Sequence, residues 1–137
     1  MEIKPLNKFR RLKEFSKFFK IEKDTVIAYD NIIYADIKLY PDVIEHEKVH
    51  FKQQKEHGLA TFTKKYLNDK EFRLEMEKEA YSRQLESIKD KDLREAVRKD
   101  CINGLCSGLY GSVSKQQAEK MLPKEEEVKK LDVSKLI

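Results

Sequence analysis

Pro41-Asp42-Val43-Ile44-Glu45-His46-Glu47-Lys48-Val49-His50-Phe51-Lys52-Gln53-Gln54-Lys55-Glu56-His57-Gly58 reads as one helix with both of its ends marked. Proline opens it at a position where a missing N–H does no harm. Glycine just past His57 supplies the stop. Stepping about 100° per residue from His46, the residues His50, Gln53, His57 and Val43 fall within a narrow arc, with Gln54 and Glu47 at its edge. Lys48, Lys52, Lys55, Glu45 and Glu56 occupy the opposite side, which must face solvent. The face left to point inward is therefore built of His, Gln and His. A helix that turns polar groups toward its own core breaks the usual pattern, and such breaks concentrate at functional sites.

Upstream of this helix, Thr25–Tyr29 and Ile32–Leu39 read as two short strands about a tight turn at Asp30-Asn31. Alternation puts Ile33, Ala35, Ile37 and Leu39 on one face of the second strand. Downstream, the pattern predicts helices over 59–68, 70–88 and 91–103, the last ended by Gly104. Ser114 with Gln117 three residues on forms a capping box for a short helix to Leu122, which Pro123 stops. At the N-terminus, Leu6, Phe9, Leu12, Phe15 and Phe18/Phe19 recur among basic residues, so residues 1–23 are expected to hold a basic amphipathic helix. Such a stripe can lie on a membrane or on nucleic acid; packing its apolar side against a core is the reading preferred here. Residues 124–137 form a Lys/Glu-rich tail expected to be loosely ordered. The fold class is α+β, mainly α: a helical domain with a small β-hairpin preceding the central helix.

The chain has 137 residues, which suits one domain spanning 1–137 with a real core. Charged residues make up 39%, against a usual figure of roughly 25%. They are mixed Lys and Glu spaced along helices, so a solvated surface accounts for them. The net charge of +4 is mild and by itself argues for no particular partner; a nucleic-acid partner is not expected. No apolar run approaches the roughly 20 residues of a spanning helix, and no signal peptide is apparent. Cys101 and Cys106 lie C-x4-C apart with no second pair, and read as small core or loop residues of a cytoplasmic protein.

His46 and His50 stand one helical turn apart on one face, which lets two imidazoles grip one Zn²⁺ at about 2 Å each. Glu47 points to the side, where it can serve water as a general base without binding the metal. Zinc needs a third protein ligand. His57 shares the face but lies about 10 Å from His50 along a straight helix, so it is expected in a supporting role or as a C-terminal cation. On the helix over 70–88, Phe72, Leu74, Met76, Ala80, Tyr81, Leu85 and Ile88 define an apolar arc. Glu77 falls inside that arc, whereas Glu75 and Glu79 fall outside it. An inward carboxylate demands a cation. Arg73, four residues back, is one candidate partner; the metal is the other, which makes Glu77 the expected third ligand.

These residues resemble the gluzincins, zinc peptidases with an H-E-x-x-H helix followed by a Glu on a second helix. More narrowly, His46 to Gln54, then Glu77-Lys78-Glu79-Ala80-Tyr81, then Leu105 to Ser114 with its Leu109-Tyr110-Gly111 loop, are similar to small zinc peptidases encoded by phages. The likeness spans residues 25–122. It implies a zincin-like fold, one Zn²⁺ per chain and hydrolysis of a peptide or protein substrate, in a host cytoplasm if the chain is phage-encoded. In gluzincins with Glu-x-x-Ala-Asp the first Glu is a ligand, which corresponds to Glu77. Tyr81 departs from the pattern, standing where many gluzincins carry an Asp that orients a ligand histidine. Tyr81 and Tyr110 are candidates for stabilising an oxyanion.

The expectation is thus a zinc-dependent metallopeptidase with ligands His46, His50 and Glu77 and the base Glu47. The Ile33–Leu39 strand, as an exposed edge, would hold an extended peptide by main-chain pairing. Two rivals stand beside it. One is a zinc-binding regulatory or interaction protein with a relic, non-catalytic site. The other is a helical nucleic-acid binder working through residues 4–23.

Overall fold

Asp30 and Asn31 both hold positive φ, 49° and 67°, the backbone of a type I′ turn whose twist suits a two-residue hairpin. The turn joins β2 (Val26–Tyr29) to β3 (Ile32–Ala35) in antiparallel register, with Tyr29 opposite Ile32 and Val26 opposite Ala35. The computed structural model describes residues 1–124, and it is mainly helical around this small sheet. Residues 125–137 of the expected tail lie outside the described residues.

The strand expected over 32–39 is shorter than the pattern suggested, and it is not an edge. β1 (Glu2–Lys4) pairs parallel with β3, Ile3 opposite Ile33, giving the order β1-β3-β2. Both sides of β3 are therefore taken by neighbouring strands, so β3 offers no exposed edge on which an extended peptide could pair. Ile37 lies beyond the strand and is 43% exposed. Asp36 turns its carboxylate back to accept the Leu6 amide at 3.0 Å, which ties the start of the chain to the end of β3.

A single amphipathic helix over 1–23 does not form either. β1 is followed by a 3₁₀ turn at Leu6–Lys8 and by one α-helical turn, α1 (Leu12–Phe15). The apolar positions 6, 9, 12, 15 and 18 recur every three residues. That is the 3₁₀ period, and on an α-helix it drifts steadily around the axis. Pro5 and Phe9 are both extended, which interrupts the helical run. The stripe nevertheless packs as a core. Leu6, Phe9 and Phe15 are buried with Tyr34 of β3 and Leu67, and the Phe9 ring meets those of Phe15 and Tyr34 at 4.9 Å.

The helical part follows the sequence closely. α2 (Pro41–His57) has proline in its first turn and ends at Gly58, whose φ of 83° suits a residue without Cβ. α3 (Leu59–Asn68) and α4 (Lys70–Glu86) follow, and Asp69 caps α4 by accepting from the Glu71 and Phe72 amides. α5 (Lys91–Leu105) is capped by Asp90 and runs two residues past the expected end. α6 (Lys115–Met121) has the expected capping box of Ser114 and Gln117. Leu85, Cys101, Ile102, Leu105, Tyr110, Ala118 and Leu122 form the second core, between α4, α5 and α6. Cys101 and Cys106 are free thiols. No described helix is long and apolar enough to cross a membrane.

α2 packs along α4, and the hairpin lies against α2. Gln54 fixes that contact. Its amide nitrogen donates to Ala28 O at 2.9 Å, and its oxygen accepts from the Asp30 amide at 3.0 Å. One side-chain amide thus pairs with the free edge of β2 as a neighbouring strand would. The seam between α2 and α4 runs between the two hydrophobic cores and carries buried His, Glu and Gln.

Candidate metal centre

His46 and His50, one turn apart on α2, face Glu77 on α4, and all three are buried. Glu77 Oε1 lies 3.0 Å from His46 Nε2, and Glu77 Oε2 lies 3.0 Å from His50 Nε2. Two nitrogens bound to one tetrahedral zinc at about 2.0–2.1 Å would stand about 3.3 Å apart, and the two Nε2 atoms are 3.3 Å apart. One ligand atom from each residue lies within 4.8 Å of the others, so the group could hold a metal ion. Two imidazoles and one carboxylate form a donor set that suits a divalent transition metal while leaving a coordination position open.

Each imidazole is turned by an amide. His46 Nδ1 donates to Gln84 Oε1 at 2.9 Å, and Gln84 Nε2 donates to Asp42 Oδ2 at 2.8 Å. His50 Nδ1 donates to Gln53 Oε1 at 2.9 Å. Gln53 Nε2 in turn donates to Met76 O at 2.9 Å and to Glu79 Oε1 at 3.1 Å. With both Nδ1 atoms engaged as donors, both Nε2 atoms are left facing the centre. The Tyr66 hydroxyl donates to Glu77 Oε2 at 2.7 Å, so the carboxylate is held from a third element.

Electrostatics follow from burial and these pairings. Burial alone would push His50 down, but the Glu77 carboxylate outweighs it and raises His50 to about 10. Burial would push Glu77 up, yet His50 and His46 hold it well below the usual carboxylate range. For Glu47, burial prevails over the partial relief from His46 and His50, and the carboxyl is raised. A raised carboxyl is a better base near neutral pH.

A cleft of about 320 Å³ opens onto the group, and His46, Glu47, His50 and Glu77 all line it. Its other walls come from the N-terminal segment (Phe15, Phe19, Ile21), from β2 and from Tyr66, Tyr81 and Tyr110. Glu47 thus shares a solvent-connected space with the three candidate ligands without being one of them.

The structure brings His46, Glu47, His50 and Glu77 together and leaves His57 outside. His57 is exposed in the last turn of α2, its ring 5.3 Å from that of Phe72. Arg73, the rival partner for Glu77, is committed elsewhere. Its Nε donates to Leu109 O at 3.0 Å, and its Nη1 donates to Tyr66 O and Leu67 O at 2.7 and 3.0 Å. Tyr81 packs its ring edge-on to His46 with centroids 4.7 Å apart. Sequence reading missed Gln84, Asp42 and Tyr66. Gln84 lies seven residues past Glu77, two turns on along the same face, so its place was legible. Asp42 lies four residues before His46, one turn back on the same face of α2, so it too was legible; Tyr66 carried no such signal. No protein-family model matches the chain, and no curated protein or solved structure matches it significantly.

Proposed function

We propose that the chain is a zinc-dependent metallopeptidase of the H-E-x-x-H plus Glu type, as the resemblance to gluzincins implies. His46, His50 and Glu77 would hold the ion. The observation that carries the reading is a raised, buried Glu47 carboxyl beside a three-residue ligand group of zinc spacing, all lining one cleft. Zinc, when bound there, supplies a Lewis acid for polarising a peptide carbonyl and acidifying water. Glu47 takes the proton from the attacking water and delivers it to the leaving amine. Gln84, Gln53 and Tyr66 hold the ligand groups in place.

Zinc content and cleavage of unfolded protein substrates by wild type and Glu47→Gln test this reading. About one zinc per chain is expected in both, with cleavage in wild type alone. Zinc retained without turnover in wild type would favour a relic, non-catalytic site. Absence of zinc from a folded chain would remove the metal reading altogether.

A further inference from the structure

The geometry points to two His–Gln–carboxylate relays, His46–Gln84–Asp42 and His50–Gln53–Glu79, as the devices that position the metal-facing nitrogens of the candidate centre. The inference rests on the proposed metal site and goes beyond it by assigning Gln84 and Gln53, with Asp42 and Glu79 behind them, as positioning residues. Four hydrogen bonds define the relays. His46 Nδ1 to Gln84 Oε1 is 2.9 Å and Gln84 Nε2 to Asp42 Oδ2 is 2.8 Å. His50 Nδ1 to Gln53 Oε1 is 2.9 Å and Gln53 Nε2 to Glu79 Oε1 is 3.1 Å.

The direction of each relay is fixed by its outer end. A carboxylate accepts only, so it selects the amide nitrogen of its glutamine. That leaves the amide oxygen to face the imidazole, which must then present Nδ1–H. Nε2 is left as the nitrogen that faces Glu77, the one a metal would take once any proton on it has left. Were either amide reversed, its NH₂ would meet the ring and the carboxylate would face an oxygen. The Met76 carbonyl, 2.9 Å from Gln53 Nε2, enforces the same direction a second time.

The glutamine also separates the charge from the ring. Glu77 and Glu47 already bring two carboxyl groups to the site, and an imidazole bonded directly to a carboxylate would bring another anion close. Interposing an amide orients the ring while leaving the carboxylate one side chain away. Tyr81 stands where many gluzincins carry Asp, and Gln84, less than one turn farther along α4, meets the His46 ring instead.

The test uses Gln84→Leu, Asp42→Asn and the pair Gln84→Glu with and without Asp42→Asn. Zinc affinity is read by chelator competition, the ligand field by Co²⁺ absorption, and the fold by melting of the metal-free protein. Gln84→Leu is expected to weaken zinc about 10–100-fold and to shift the Co²⁺ bands, with metal-free melting close to wild type. Gln84→Glu sets a second carboxylate against Asp42 and should also weaken zinc. Adding Asp42→Asn restores a donor facing an acceptor, reversed in order, and should recover affinity. Wild-type affinity and Co²⁺ bands in Gln84→Leu, or a double variant that binds zinc no better than Gln84→Glu alone, would overturn the relay while leaving the metal site standing. Recovery short of wild type is expected, because the carboxylate then bonds the ring directly. A wild-type chain that binds neither Zn²⁺ nor Co²⁺ would overturn the metal reading and the relay together.

Discussion

Tyr66 reaches from α3 to donate its hydroxyl to Glu77 Oε2 at 2.7 Å. An O–H···O⁻ bond of this kind is charge-assisted and strong, and it pins one carboxylate oxygen while His46 meets the other. Tyr66→Phe removes the bond but keeps the ring, which stacks on Phe62 at 5.5 Å. Zinc affinity is expected to fall about tenfold, and metal-free melting should fall too, because the bond is present without metal and contributes about 1.5–3 kcal/mol. Competition against a chromophoric chelator measures the affinity. Unchanged affinity would mean that the histidines and the α4 backbone orient Glu77 unaided.

Glu75 and Glu77 lie two residues apart, so helical facing, not composition, distinguishes them. Glu75 is exposed and pairs with Lys78 at 3.3 Å, whereas Glu77 is 3% exposed and meets both histidines. Glu77→Ala should abolish stoichiometric zinc retention, and Glu75→Ala should leave it intact. Arg73→Ala makes the third arm. Its guanidinium satisfies the carbonyls of Tyr66 and Leu67 at the end of α3 and of Leu109. Losing it should cost about 3 kcal/mol of stability while zinc is retained in the folded fraction. If Glu75→Ala and Glu77→Ala hold zinc equally, Glu77 is not a ligand.

In the metal-free chain, stability and metal uptake should both depend on pH through one pair. Burial opposes charge on His50 and on Glu77, but their attraction wins, raising His50 from 6.5 to about 10 and lowering Glu77 from 4.5. For a raised histidine the contribution is fully present below 6.5 and is lost as pH rises through about 10. For a lowered carboxylate it is present above 4.5 and is lost only as pH falls through the depressed folded value. Metal-free melting temperatures should therefore drop on the alkaline side, toward about pH 10. Zinc uptake runs the other way. A metal takes the Nε2 lone pair, so the His50 proton must leave, and affinity should rise up to about tenfold per pH unit through neutrality. Isothermal titration in buffers of differing ionisation enthalpy would count the released proton. Affinity independent of pH would mean that His50 is already neutral before metal arrives.

Most of this arrangement was readable because it is written in helical period. His46, His50 and Gln53 share a face of α2, Glu77 sits inside the apolar arc of α4, and Gln84 follows two turns later; each spacing fixes a direction without tertiary information. Gly58, Asp30-Asn31 and the Ser114 capping box were equally local signals. What failed was non-local or degenerate. β1 is three residues long, and only pairing with Ile32–Tyr34 makes it a strand. Apolar residues at 6, 9, 12, 15 and 18 satisfy a 3₁₀ turn, a single α turn or an imagined helix equally well over short stretches. The choice was made by Pro5, by an extended Phe9 and by the Asp36 carboxylate. Tyr66 enters the centre from a helix whose sequence gives only an aromatic at core spacing.

Gly104 is the last such case, a glycine whose reason lies in the fold. It sits inside α5, where glycine is disfavoured by roughly 1 kcal/mol relative to alanine, so propensity alone would predict that Gly104→Ala stabilises. The space argues otherwise. A Cβ at this position would stand 2.8 Å from the Tyr81 hydroxyl oxygen and 3.5 Å from the ring carbon that bears it. Tyr81 has little freedom to yield, because its ring packs against His46 with centroids 4.7 Å apart and its hydroxyl lies against α5. Gly104→Ala should therefore destabilise the fold by about 1–3 kcal/mol and weaken zinc binding through the displaced Tyr81 and His46 rings. Tyr81→Phe removes the clashing atom and leaves the ring carbon at ordinary contact distance. In the Gly104→Ala/Tyr81→Phe double variant the alanine should become neutral or stabilising. A double-mutant cycle on denaturant midpoints would show a coupling of at least about 1 kcal/mol in that direction. Additive effects would mean that Tyr81 moves aside without cost and that Gly104 is present for some reason other than this contact.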